Sequence, residues 1–248
     1  MGFLFFGNKH KHDANTFDGA ELFTGLTDWH SHILPGVDDG VQTMEESLAV
    51  LEKYEEWGVR RVWLTPHIME DIPNTPQQLR ERFAELQAAY ADDRKRRQED
   101  GDAEMSAAPI ELNLAAENMM DNLFEERLAS DDLLPITNTR DHLLVETSYF
   151  NPPMNLYEIL VEIRERGYYP ILAHPERYVY MSMRDYERLK GMGVKFQMNI
   201  FSQADRYGRD VRKKVHTLLD KHYYNYVGSD LHRLAMLSWV EGVKFRNI

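Results

Sequence analysis

The chain contains no cysteine. That excludes disulfides, zinc–thiolate sites and every thiol nucleophile. It is also the composition of a protein working in a reducing compartment. There is no long apolar run and no leader with a basic start and an apolar middle, so a cytoplasmic chain without a spanning segment is expected. Basic residues are in deficit: 29 Lys and Arg stand against 41 Asp and Glu, a formal charge of −12. Such a chain is excluded as a general binder of nucleic acid or anionic membrane, and an anionic substrate would have to be attracted locally. Internal repeats, low-complexity blocks and Gly-, Pro- or Ser-rich linkers are absent as well. The 248 residues suffice for one domain with a sizeable core. We divide the chain into an N-terminal tail, 1–25, and a domain, 26–248. The tail opens on an apolar patch (Phe3, Leu4, Phe5, Phe6) followed by Lys9 and Lys11. It fails the myristoylation pattern, since Phe6 stands where Ser or Thr is required, and is expected to be loose or packed on the domain.

What is present is an alternation of strand and helix signals. Strands are predicted at Leu26–His30, Arg60–Thr65, Glu111–Glu117, His142–Thr147, Tyr168–His174, Lys195–Ile200 and Asn225–Asp230. Thr43 and Glu46 form a capping box before a stripe of Met44, Leu48, Leu51 and Tyr54, which Gly58 closes. Thr75 caps a second helix with Pro76 in its first turn, and the charged run Asp92–Asp102 reads as its solvated end and loop. Further helices are predicted at Met119–Leu128, Leu156–Arg166, Arg184–Lys190, Asp210–Lys221 and Leu234–Glu241. Strands alternating with helices imply a parallel sheet with right-handed crossovers. Seven units predict a (β/α)7 TIM-like barrel, with an open doubly wound sheet as the alternative.

Six of the seven strands deliver a His, Glu or Asp to the C-terminal rim, where α/β barrels build their sites. His30 ends the first strand, with His32 two residues on. His67 follows the second, Glu117 ends the third, and Glu146 lies near the end of the fourth. His174 ends the fifth, and Asp230 ends the seventh, followed by His232. In the extended pairs His30-x-His32 and Asp230-x-His232, both side chains fall on one side of the chain. Imidazole and carboxylate together suit manganese, iron, zinc or magnesium, and there are too many groups for one tetrahedral ion. Two or three metals sharing carboxylates fit better, the arrangement used to hydrolyse phosphate esters and amides. One of Asp38 and Asp39 is expected to join the set. Arg177, close after His174, is placed to hold phosphoryl oxygens, and Arg233 is a weaker candidate. Asp28 reads as a hydrogen-bond acceptor for a ligand histidine. Asn199 either lines the site or is a buried structural amide. His10, His12, His142, His216 and His222 fit no rim pattern.

The segment Asp28-Trp29-His30-Ser31-His32-Ile33-Leu34-Pro35-Gly36-Val37-Asp38-Asp39-Gly40 resembles the opening motif of the PHP (polymerase and histidinol phosphatase) superfamily. Within it the chain is similar to the CpsB/CapC-type bacterial tyrosine phosphatases of capsule and exopolysaccharide systems. Leu64-Thr65-Pro66-His67, Leu114-Ala115-Ala116-Glu117, Val145-Glu146, Ala173-His174-Pro175-Glu176-Arg177-Tyr178 and Gly228-Ser229-Asp230-Leu231-His232 match in order, over about residues 26 to 235. The resemblance implies a (β/α)7 barrel with a trinuclear site, usually manganese, held by His30, His32, Asp39, His67, Glu117, Glu146, His174, Asp230 and His232. It selects Asp39 over Asp38, and it implies a phosphate contact for Arg177. A second arginine of some members falls at about Leu237, so that role is absent here or passes to Arg233.

The resemblance further implies a phosphoric monoester hydrolase that cleaves phosphotyrosine directly with a metal-activated hydroxide. Its expected partner is the tail of a bacterial tyrosine kinase, with the ring packing on Tyr149, Phe150, Tyr178 or Phe201. A small-molecule phosphatase of the histidinol-phosphatase type is the nearest alternative, and a non-catalytic metal-bound regulator the next.

Overall fold

The computed structural model describes residues 16–102, 108–137, 141–240 and 243–246, and the apolar patch of the tail lies outside them. The strands are β1 (Thr16–Asp18), β2 (Thr27–Ser31), β3 (Arg61–Leu64), β4 (His67–Ile68), β5 (Glu111–Leu114), β6 (Glu117–Met119), β7 (Ile136–Thr137), β8 (Asp141–Glu146), β9 (Tyr169–Ala173), β10 (Lys195–Asn199), β11 (Tyr226–Gly228) and β12 (Lys244–Arg246). The α-helices are α1 (Met44–Glu56), α2 (Pro76–Glu99), α3 (Phe124–Ala129), α4 (Leu156–Glu165), α5 (Met183–Gly191) and α6 (Arg209–Asp220). All the predicted strands are found. The second and third are each interrupted, by Thr65-Pro66 between β3 and β4 and by Ala115-Ala116 between β5 and β6.

The parallel strands form a curled α/β sheet in two hydrogen-bonded pieces. One runs β2-β3-β5, the other β11-β10-β9-β8-β6-β4, with β7 antiparallel on β8. The outermost strands approach each other: the Asp230 N–H donates to the His30 carbonyl at 2.7 Å, and the His32 N–H to the Leu231 carbonyl at 2.9 Å. Side chains alternate as the pleat requires. Leu144, Ile171 and Ala173 pack with Trp63 and Trp29 on the inner face, while Leu143, Val145 and Leu172 pack outward with α4, α5 and α6 residues such as Ile163, Leu189 and Leu218.

Of the two states expected for the tail, residues 16–23 take the packed one: β1 pairs antiparallel with β12, and Phe23 is fully buried. Other expectations are corrected. α2 runs through the charged stretch to Glu99, because Arg94 and Arg97 reach back to the buried Glu55 of α1 and tie the last turns down. The helix expected from Met119 begins only at Phe124, since residues 117–119 pair with β8. Thr43 does cap α1, but the Glu46 carboxylate accepts the Leu234 N–H at 3.0 Å rather than returning to Thr43. Reciprocal boxes occur instead at Thr75 with Gln78 and at Ser182 with Asp185. Residues 234–240 form a 3-10 helix. No described helix is long and apolar enough to cross a membrane.

Candidate metal centre

The rim residues converge. His32, Asp39, His67 and His232 form one group, His30, His32, Glu117 and Asp230 a second, and His67, Glu117 and Glu146 a third; within each group the donor atoms lie within 4.8 Å of one another. His174 joins through Nε2, 3.0 Å from Glu117 Oε1 and 3.8 Å from Glu146 Oε2. All nine residues expected to hold metal therefore meet in one cluster. Most of it is buried, with the Asp39 carboxyl as its exposed edge.

Local structure aims these groups. The β2–β3 register shifts between Asp28 and Ser31, an irregularity of the kind that redirects a side chain. Gly228 lies flat against β2, where a Cβ would fall 2.4 Å from the Cβ of His30. His174 (φ 30°) and Asp230 (φ 52°) both sit in the left-handed region, a strain of order 1–3 kcal/mol each that packing must sustain.

The outer nitrogen of each of three histidines is fixed. His30 Nδ1 faces Gln197 Oε1 at 2.8 Å, His32 Nδ1 faces Asp38 Oδ2 at 2.8 Å, and His232 Nδ1 faces the Asp230 carbonyl at 2.9 Å. Each Nε2 is left to the cluster, the tautomer a metal ligand needs. Asp28 takes no imidazole, contrary to expectation. Its carboxylate accepts the backbone N–H groups of His30 (3.2 Å) and Ser229 (2.8 Å) and the hydroxyls of Tyr54 and Ser229, thereby pinning the two strands that carry ligands. The partner of His30 is Gln197, which the sequence reading missed; its place two residues before Asn199 was the available signal.

The chemistry of the cluster fits divalent cations. His30 Nε2 and His32 Nε2 are 3.0 Å apart, and Glu117 Oε2 lies 3.1 Å from the first and 3.2 Å from the second. Lone pairs so close repel unless a proton or a metal ion sits among them. His67 Nδ1 is buried 3.1 Å from Glu146 Oε1 and 3.3 Å from Glu117 Oε2 without hydrogen-bond geometry to either, and His174 Nδ1 is buried with no hydrogen-bond partner. Burial pushes the His30 imidazolium down, but the charges of Glu117 and Asp230 outweigh it and raise the pKa to about 9. Burial likewise opposes ionisation of Glu117 and Asp230, yet the facing histidines hold both well below the usual carboxylate range. The hydrogen bond from His232 holds Asp39 down to about 2. Each proton retained by a histidine is one that a binding metal displaces.

Arg177 Nη1 donates to Asp230 Oδ2 at 2.7 Å, and its guanidinium lies 4.4 Å from the ring centres of both Tyr149 and Tyr207. Asn199 Nδ2 donates to the same Asp230 oxygen at 2.8 Å, so this amide does line the cluster. Arg233 is exposed and makes no ion pair with the cluster among the described residues. Tyr178 and Phe201 are fully buried and cannot meet a substrate ring, and Tyr149 is engaged with Arg177. Of the four aromatic residues named for a substrate ring, Phe150 is the exposed one, at 70%.

With this geometry in view, comparison with known proteins is informative. The profile of the capsular polysaccharide synthesis CpsB/CapC family matches residues 26–237. The putative tyrosine-protein phosphatase CapC of Staphylococcus aureus is 23% identical over 213 residues, 85% of this chain and 78% of the relative. The tyrosine-protein phosphatase YwqE of Bacillus subtilis is 26% identical over 215 residues, 84% and 78%. The tyrosine-protein phosphatase CpsB of Streptococcus agalactiae is 27% identical over 230 residues, 84% of each. The fold matches a crystal structure from work on YwqE of Bacillus subtilis and CpsB of Streptococcus pneumoniae, described as metal-dependent tyrosine phosphatases. The TM-score is 0.71 at 24% identity, over 86% of this chain and 81% of the other.

Proposed function

The chain belongs to the capsular polysaccharide synthesis CpsB/CapC family, and from that premise we propose that it is a metal-dependent protein-tyrosine phosphatase. The observation that carries the reading is the convergence of His30, His32, Asp39, His67, Glu117, Glu146, His174, Asp230 and His232 on one rim beside Arg177. These nine residues are the metal ligands of the proposal, for two or three ions with manganese first and iron, zinc or magnesium as alternatives. The two sheet pieces are read as one (β/α)7 barrel, which the bonds from Asp230 to His30 and from His32 to Leu231 support.

Divalent ions held at this rim would neutralise phosphoryl charge and acidify water, which is the chemistry hydrolysis of a phosphate monoester requires. The chain's own groups do the rest. Arg177, its charge held by Asp230 and its plane by two tyrosine rings, presents donors to the phosphoryl oxygens. Asn199 and Arg177 together fix Asp230, while Gln197 and Asp38 fix the rings of His30 and His32. The leaving tyrosinate, with a pKa of about 10, needs no strong general acid. The substrate of the proposal is a phosphotyrosyl segment of a bacterial tyrosine kinase, dephosphorylated in the cytoplasm as part of capsule or exopolysaccharide control.

The test is a substrate panel on manganese-loaded protein with chelator controls: phosphotyrosyl, phosphoseryl and phosphothreonyl peptides, p-nitrophenyl phosphate and histidinol phosphate. A chelator-sensitive preference for phosphotyrosine is expected. A much higher kcat/KM on histidinol phosphate would overturn the tyrosine assignment, and no turnover of any ester would leave a metal-bound regulator.

A further inference from the structure

The exposed large apolar side chains of the described residues are not scattered. Leu123, Phe150, Met154 and Val179 lie in segments that follow the C-terminal ends of strands, the ends that carry the metal cluster, whereas Leu234 borders α1 and Val161 lies on α4. Apolar exposure gathered around a site marks what the site must touch. At one place this rim becomes a groove. It runs between the loop after β9 and helix α6, encloses about 420 Å³, and has Arg177 in its wall. Val179, 63% exposed, Met181 and Met183 line one side, and Val211, Lys213 and Lys214 the other.

The charge of this groove runs against that of the chain. In a protein of net charge −12, it presents Arg177, Lys213 and Lys214. Asp210 is the one exposed carboxylate in its wall, because Glu176 is buried and bonded to the Asn199 N–H and the Tyr224 hydroxyl. Lys214 Nζ rests on the Tyr178 carbonyl, and Lys213 forms no ion pair among the described residues. The loop wall is continuous with the site: the Val179 N–H donates to the Tyr149 carbonyl at 2.9 Å, and Tyr149 stacks on Arg177. A chain whose phosphotyrosine reached Arg177 would pass its neighbouring residues along this groove.

We propose that this groove docks the residues flanking the phosphotyrosine and selects an extended segment bearing apolar and carboxylate side chains. The proposal rests on the phosphatase reading and adds the sequence class of the substrate. The apolar wall buries one flanking side chain, and the lysines pair with a flanking carboxylate that the rest of this acidic surface repels.

The test compares three phosphotyrosyl peptides, with Glu-, Ala- or Lys-flanked phosphotyrosine, against p-nitrophenyl phosphate, on the wild type and on Lys213→Glu. The quantity read is the ratio of kcat/KM on each peptide to kcat/KM on p-nitrophenyl phosphate. In the wild type the ratio should favour the Glu-flanked peptide over the Lys-flanked one by roughly fivefold, the scale of an exposed ion pair, and the preference should fade at about 1 M salt, where screening acts over about 3 Å. Lys213→Glu should cancel or reverse it. Val179→Ala, tested in parallel, should lower the ratio for all three peptides by a few-fold through lost apolar contact. Equal ratios for the three peptides in the wild type, or an unchanged preference in Lys213→Glu, overturn the proposal. Absence of turnover on p-nitrophenyl phosphate by metal-loaded wild type is a different failure: it removes the phosphatase reading, and the groove assignment falls with it.

Discussion

Glu55 and Glu117 are both carboxylates with almost no exposure, 4% and 0%, yet they sit in opposite kinds of surroundings. Glu55, on α1, receives Arg97 at 2.9 Å on one oxygen and Arg94 and the Tyr90 hydroxyl on the other. Both oxygens are matched by fixed donors, and Arg97 is also paired with Asp102 at 2.9 Å, so the permanent charges of the network already cancel. Glu117 faces His30, His32, His67 and His174, and the same cluster holds Glu146, Asp230 and Asp39. Arg177 is the only arginine paired with that cluster among the described residues. Five imidazoles can either carry protons or offer lone pairs. A buried charge network that is already neutral ties two helices together. One that is neutral only through exchangeable protons is arranged to accept cations. The comparison separates a structural cluster from a functional one without appeal to relatives.

The largest effects should break the two clusters in different ways. His32→Ala or Asp230→Ala should leave the fold intact and reduce turnover by at least about 10⁴, above 5 kcal/mol in the barrier, together with loss of bound metal. Elemental analysis should find two or three ions in the wild type and fewer in either variant; near-normal turnover at full occupancy would remove the residue from the ligand set. Glu55→Ala should do the reverse. Removing the buried carboxylate that Arg94, Arg97 and the Tyr90 hydroxyl share, which leaves Arg97 paired with Asp102 but strips Arg94 of its buried partner, should cost about 3–5 kcal/mol of stability, lowering Tm by roughly 10 °C, with turnover per folded molecule retained. Calorimetry and an assay below the transition separate the two; a loss of turnover without a loss of stability would mean that the α1–α2 network belongs to the site.

Much of this contrast was legible in the sequence, and the reasons are local. Strand ends carry their polar residues in the last positions of apolar runs, so His30, Glu117, His174 and Asp230 could be read directly, and His-x-His and Asp-x-His spacing follows from the period of an extended chain. The choice between Asp38 and Asp39 could not be read that way. It depends on a turn in which Asp38 faces His32 Nδ1 while Asp39 turns to His67 and His232, and adjacent residues in a turn have no fixed direction. Glu55 carries no signal of its own in the sequence, and Asp92–Asp102 reads as a solvated end, because their match is a contact between α1 and α2 across about 40 residues. Gln197 and Tyr207 were missed for the same reason: each acts on a residue far away in sequence, His30 and Arg177.

Arg177→Ala sharpens the comparison from inside the functional cluster. Removing one preorganised contact to a developing charge costs roughly 10²–10³ in kcat, about 2.7–4 kcal/mol. The nine proposed ligands are untouched, so metal content should be retained. Loss of metal in this variant would instead show that its bond to Asp230 is what holds that ligand in place.

The smallest effect concerns what holds Arg177 itself. In the Glu55 cluster the arginines are oriented chiefly by carboxylates, the Tyr90 ring lying farther off at 6.0 Å from Arg94. Arg177 has one carboxylate, Asp230, and is otherwise held by the faces of Tyr149 and Tyr207, each 4.4 Å from its guanidinium. Such contacts are worth about 0.5–2 kcal/mol when partly desolvated, so Tyr207→Leu should lower kcat/KM by roughly tenfold or less. Tyr207→Phe should retain most of the activity, because the hydroxyl receives only a long 3.4 Å bond from Asn199. The decisive measurement is the double variant. If Tyr207 acts by holding Arg177, Tyr207→Leu should cost almost nothing once Arg177 is already alanine, since the two changes then remove the same interaction. If the two losses add in full, the ring acts on the substrate or on the fold independently of the guanidinium, and the sandwich is packing rather than orientation.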